Sequence, residues 1–177
     1  SLRLSGTVLS KNIISIIVKS IPPKSKLRSL SLSNIESLNS ESFAALSGLT
    51  SIQSLDLSRT SINDKDISTL KPMPALKELN VSSAPLKKPD FTALSKFKQL
   101  KTIKFTETGL ESSCIKSLSQ CVSLTDIQVD QTKVSNDALP YFANMPNLQR
   151  LDVYGAGCSA SYINKFKKEH PNIFVLF

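Results

Sequence analysis

One phrase, repeated along the chain, constrains the fold more tightly than any bulk property. Leucine-class residues stand at Leu27, Ile52, Leu76, Leu100, Leu124 and Leu148, separated by 25, 24, 24, 24 and 24 residues. Each opens the same pattern of two spacer residues, an apolar residue, one spacer and another apolar residue: Leu27-Leu30-Leu32, Ile52-Leu55-Leu57, Leu76-Leu79-Val81, Leu100-Ile103-Phe105, Leu124-Ile127-Val129 and Leu148-Leu151-Val153. Self-similarity at such a period is the signature of stacked copies of one supersecondary unit. Leu2 and Leu4 read as the tail of an earlier, partial row.

Alternation at the fourth and sixth positions of each row is the period of a short, half-buried strand. Farther along, apolar residues recur every third position: Phe43-Leu46-Leu49, Ile67-Leu70-Met73, Phe91-Leu94-Phe97, Ile115-Leu118-Cys121 and Leu139-Phe142-Met145. That spacing predicts a short helix or 3₁₀ segment with one buried stripe. Ser40, Asp64, Asp90, Ser112 and Ser135 or Asn136 stand where helix caps are needed, and Pro72, Pro74 and Pro146 mark helix ends. A strand and a short helix cannot bury their apolar sides alone. Stacked, they form an α/β right-handed solenoid with a parallel sheet inside, helices outside and a continuous core between.

These rows resemble the leucine-rich-repeat family over almost the whole chain. The resemblance implies a curved parallel sheet on a concave face, short helices on the convex face, and a role as a non-catalytic protein-binding scaffold. A common version of the motif has Asn at the ninth position of the row, where its side chain bonds the turn. Here that position reads Thr60, Ala84, Thr108, Thr132 and Ala156, with Ile35 or a shifted neighbour in the irregular second row. Threonine still bonds the backbone; alanine does not. The flavour is similar to arrays of protozoan proteins, bacterial effectors, cytosolic adaptors and ubiquitin-ligase receptors.

The reading is of one domain over 1–177, about seven repeats, closed by a capping strand over 173–177. No comparable cap precedes Leu2, so the chain reads as the C-terminal part of a longer protein. The early row is long, 28 residues from Leu2 to Leu30, and Pro22-Pro23 with Lys24 to Lys26 predicts an irregular loop there.

Composition narrows function by exclusion. Aromatic content is 6% with no Trp, so the core is aliphatic. The longest apolar run, Ile13 to Val18, falls well short of the roughly 20 residues of a membrane span. Cys114, Cys121 and Cys158 make an odd count without metal-ligand spacing, which favours structural thiols in a reducing, cytoplasmic compartment. His170, the lone histidine, reads as a surface or capping residue. Five scattered glycines supply no phosphate loop, and the carboxylates do not recur at liganding intervals. No catalytic set, cofactor, metal or small-molecule substrate is expected. Asn80-Val81-Ser82 matches the glycosylation sequon, a short and common pattern.

Candidate binding residues follow from the strand period. Residues between the core leucines face away from the core, at the third and fifth positions and on into the seventh and eighth. Binding energy concentrates in Tyr, Trp and Arg, which singles out Tyr154, Arg150 and Arg59. Glu78, Lys104, Asp126, Asp130 and Asp152 supply orientation and selectivity. The partner is expected to be another protein, gripped mainly by the last three rows. A strand face of roughly 350–450 Å² is smaller than the about 800 Å² that a standard interface needs from each partner, so loops or flanks must contribute. Two alternatives stand beside this reading. The net charge of +8 and a lysine cluster (Lys77, Lys87, Lys88, Lys96, Lys98, Lys101, Lys104, with Lys165, Lys167 and Lys168) suit nucleic acid or an anionic membrane. The array also suits the recognition arm of a larger effector or ubiquitin-ligase complex.

Overall fold

The computed structural model describes residues 1–7, 11–22, 25–36, 38 and 40–177, without the side chains of 11–13, 40 and 41. Among the described residues eight strands form one sheet: β1 (Leu2–Arg3), β2 (Ser29–Ser31), β3 (Ser54–Asp56), β4 (Glu78–Asn80), β5 (Thr102–Lys104), β6 (Asp126–Gln128), β7 (Arg150–Asp152) and β8 (Phe174–Leu176). They pair in chain order, every pair parallel. The register runs straight through the array, Leu30 beside Leu55, then Leu79, Ile103, Ile127, Leu151 and Val175. Each of these central residues is buried, while its two strand neighbours remain partly or fully exposed. The period-two pattern of the sequence is therefore the physical division between core and open sheet face.

The return segments carry helices: α1 (Lys11–Ser20), α2 (Ser40–Ala45), α3 (Asp64–Ser68), α4 (Ile115–Leu118), α5 (Leu139–Ala143) and α6 (Ala160–Glu169). The row between α3 and α4 uses only a 3₁₀ segment, Phe91–Lys96, and 3₁₀ turns precede α4 and α5. Every apolar residue of the five three-spaced stripes is buried. They meet the strand leucines in one continuous core, in which the Phe91 and Phe105 rings lie 5.0 Å apart. Removing a buried leucine such as Leu79, which is fully inaccessible, costs about 2–5 kcal/mol through lost transfer energy and the cavity left behind.

The extra length of the first row is a helix. Ile13–Val18, notable in the sequence only as an apolar run, lies within α1, which buries Ile14 and Val18 four residues apart and leaves Ile16 exposed. The expected loop survives as a turn in which Ser25 N–H donates to Pro22 O, with Pro23 and Lys24 outside the described residues. Two expected caps are displaced by one residue. Asn63, not Asp64, caps α3, accepting from Lys65 and Asp66 N–H while Asp66 receives Asn63 N–H. Asp64 instead accepts Lys87 N–H at 2.9 Å and Lys88 N–H at 3.0 Å, tying its row to the next. Ser112 does not cap its own turn either; Glu111 holds that position, and Ser112 Oγ accepts Ser135 N–H of the following row. Asp90 does cap as expected, through Thr92, and this bonding holds its carboxyl below the usual range. Ser135 precedes its 3₁₀ turn without capping it, its hydroxyl bonding that of Ser112 instead, and the side chain of Ser40 lies outside the described residues.

At the ninth position, Thr60, Thr108 and Thr132 are buried, and each hydroxyl donates to a carbonyl three residues back, those of Leu57, Phe105 and Val129. The eighth position carries a feature the sequence pattern did not announce. Gly6, Asn34, Arg59, Ser83, Glu107, Gln131 and Gly155, one per row, all hold a positive φ between 54° and 69°. The chain turns off the sheet through a left-handed residue in each of these rows.

Candidate binding face

The open face of the sheet is built from the third and fifth strand positions, extended by the seventh and eighth. Three of its fifth-position side chains have a structural duty that precedes any binding. Asp56, Asn80 and Asp152 each fold their Oδ1 onto the seventh-position N–H, of Ser58, Ser82 and Tyr154, at 3.0–3.1 Å. These Asx turns start the bend that the left-handed eighth residue completes.

Polar contacts then run across the strands. Ser31 Oγ donates to Asp56, Ser54 Oγ to Glu78, Thr106 Oγ1 to Asp130 and Ser83 Oγ to Glu107. Lys104 Nζ lies 2.8 Å from Glu78 Oε1, and Arg150 Nε lies 3.8 Å from Asp126 Oδ2. The structure thus brings four of the eight sequence-selected residues together as two cross-strand ion pairs. Asp130 and Asp152 are engaged as acceptors. Arg59 is exposed, holds a left-handed backbone and has no carboxylate partner among the described residues. Tyr154 is 61% exposed at the far end of the face.

Two shallow hollows, open to solvent, lie on this face. One of about 440 Å³ is lined by Ser31, Ser54, Asp56, Glu78, Asn80 and Lys104 among others, and a second of about 520 Å³ by Ser58, Arg59, Ser83, Thr106 and Glu107 among others. Both lie in the first five rows, whereas the sequence pointed to the last three. The last rows are different in character. Phe174 pairs in register with Arg150 and is 61% exposed, and Leu176, beside Asp152, is half-buried on the same side. Phe174 was missed because it was read as part of a cap; its signal was its third-position register with Arg150.

The cysteines and His170 lie away from these ion pairs. Burial raises the thiol pKa values of all three cysteines, Cys121 to about 12 and Cys158 to about 11, so these sulfurs are protonated at neutral pH. His170 ends α6, its N–H donating to Phe166 O at 2.8 Å and its ring 4.8 Å from that of Phe166. It lines a hollow of about 390 Å³ between α5 and α6, opposite the sheet face. Among the described residues no helix is long and apolar enough to cross a membrane.

An internalin from Listeria monocytogenes shares this architecture, with a TM-score of 0.62 at 15% sequence identity over 92% of the chain. The fold is a leucine-rich-repeat solenoid. The chain spans about half of that internalin, 49% of its length. In all, 205 solved chains match in shape, so the likeness identifies a widely used scaffold and no particular partner. No family model and no curated protein matches the sequence.

Proposed function

We propose that this solenoid binds another protein on its concave sheet face, anchored at the C-terminal end by Tyr154, Phe174 and Arg150. The observation that carries this reading is the exposure of two aromatic side chains on a face otherwise made mainly of polar and charged groups. Six of the eight phenylalanines are buried, whereas Tyr154 and Phe174 are each 61% exposed. Aromatic and arginine side chains that await burial are the groups in which interface energy concentrates.

The rest of the face supplies complementarity. Glu78, Lys104, Asp126, Asp130 and Asp152 present donors and acceptors already held in place by their neighbours, which lowers the ordering cost of binding, and Arg59 adds an exposed cation. The two hollows accept protruding side chains of the partner. Seven strand steps of about 4.8 Å extend the face to roughly 34 Å, and the left-handed eighth-position turns widen it along one flank. No catalytic step is assigned to these residues.

The test is affinity capture from cells of the source organism with the intact chain and a Tyr154→Ala/Phe174→Ala/Arg150→Ala variant whose circular dichroism matches the parent. Specific partners retained by the parent and lost by the variant support the reading. Equal capture by both proteins rejects the anchor assignment.

A further inference from the structure

The array has two flanks, one where the chain enters its strands and one where it leaves them, and their charge differs. On the entering flank the second position of each row stacks directly on the next. Gln53 N–H donates to Arg28 O, Lys77 N–H to Gln53 O, Lys101 N–H to Lys77 O and Thr125 N–H to Lys101 O, all at 2.7–2.9 Å. Lys71, Lys96 and Lys98 stand in the segments that lead into the same strands. All six basic residues, Arg28 included, are exposed, and none has a carboxylate partner among the described residues. No Asp or Glu occurs over 42–53, 67–77, 91–101, 112–125 or 138–149, the stretches that build this flank. Carboxylates gather instead on the leaving flank, among them Asp64, Asp90, Glu107, Glu111 and Asp137.

The row geometry therefore divides the lysine cluster seen in the sequence. Lys87 and Lys88 belong to the leaving flank, where Lys88 pairs with Glu111 at 3.1 Å, and Lys104 is on the sheet face with Glu78. What remains is a patch of unpaired charge. Helix dipoles do not account for it, because Lys77 and Lys101 stand well beyond the last turn, where that field has decayed.

We propose that this entering flank is a docking surface for an anionic lipid bilayer. Its shape and composition favour that occupant over nucleic acid. Consecutive rows at strand spacing make a continuous array about 14 Å long from Arg28 to Lys101. Among the described residues it has no exposed aromatic side chain for base stacking and no long helix to enter a groove. Five of the six charges are ammonium groups, which act as point charges rather than as bidentate phosphate forks. Val122, 53% exposed, stands one row beyond Lys98, an apolar contact that a headgroup layer accepts. Basic clusters of this size bind the anionic leaflet electrostatically.

The probe is co-sedimentation of the intact chain with phosphatidylcholine vesicles, with or without 30% phosphatidylserine, in about 50 mM and about 500 mM salt. Binding is expected only with phosphatidylserine and only at low salt. Lys71→Gln/Lys77→Gln/Lys98→Gln/Lys101→Gln should weaken it at least about a hundredfold, at about fivefold per lysine, while Lys87→Gln/Lys133→Gln on the other flank changes it less than about twofold. The proposal is overturned by absence of binding to phosphatidylserine vesicles or by equal loss in the two variants. It is also overturned if a 25-base-pair DNA duplex binds more tightly than the vesicles in the same buffer.

Discussion

Glu78 and Lys104 face each other diagonally across β4 and β5, with Oε1 and Nζ 2.8 Å apart and each side chain about a third exposed. In sequence they are independent candidates for binding; in the fold they are one unit. A partner that meets this part of the face meets a neutral pair, and losing either member leaves the other charge open. In a double-mutant cycle with Glu78→Gln and Lys104→Met, the coupling energy should be about 0.5 kcal/mol and should shrink in high salt, as expected for a partly screened pair. Zero coupling in urea titrations at low salt would show that the contact contributes nothing in solution.

The buried threonines should matter more than any surface ion pair. Thr132 Oγ1 donates to Val129 O and accepts Val134 N–H, all within a buried turn. Thr132→Val preserves shape but leaves two buried backbone groups without partners, at a cost of about 1–3 kcal/mol. The urea midpoint should fall with an unchanged slope. A shift below a few tenths of a kcal/mol would mean that water or a relaxed turn replaces the hydroxyl.

Much of this architecture was legible in the sequence, for a specific physical reason. The spacing that places Leu55 beside Leu79 and Leu79 beside Ile103 is a row period, and parallel stacking turns a period directly into a register. The same logic explains what was misread. Lys77 and Lys87 are close in sequence but occupy opposite flanks, whereas Lys77 and Lys101 are far apart in sequence and adjacent in space. Cap positions moved by one residue because Asn63 and Asp64 can both cap, and only the backbone geometry decides which does. The left-handed turns were obscured by residue identity. Gly6 and Gly155 signal them, but Arg59, Glu107 and Gln131 at the same row position do not.

That row position yields a pair of opposite mutations. Arg59 holds φ at 55° and forms no ion pair among the described residues, so Arg59→Gly removes backbone strain of about 1–2 kcal/mol. Glycine's greater entropy in the unfolded chain offsets about 0.5–1 kcal/mol of that. The net expectation is a gain of about 0.5–1 kcal/mol, read as a higher melting temperature. Gly155→Ala should move the other way. Its φ is +64°, and a Cβ there would come 2.5 Å from Gln131 Nε2, so the backbone is strained and the Gln131 side chain must also shift.

The cysteines set an alkaline limit. Burial raises Cys121 to about 12 and Cys158 to about 11, against an ordinary value of 9.0. A thiol whose folded pKa is raised binds its proton more tightly when folded. Its contribution is therefore fully present below about pH 9 and is lost as the pH climbs from there toward the folded values. Unfolding free energy measured between pH 8 and pH 11 should fall with rising pH, and Cys121→Ala/Cys158→Ala should flatten that slope even though the first substitution lowers stability overall. Alkylation at pH 8 adds an independent reading: Cys121 should resist a small iodoacetamide-type reagent in the folded chain and react after denaturation. Rapid labelling of Cys121 in the native protein, or an alkaline slope unchanged by the double substitution, would contradict a buried, protonated thiol at that position.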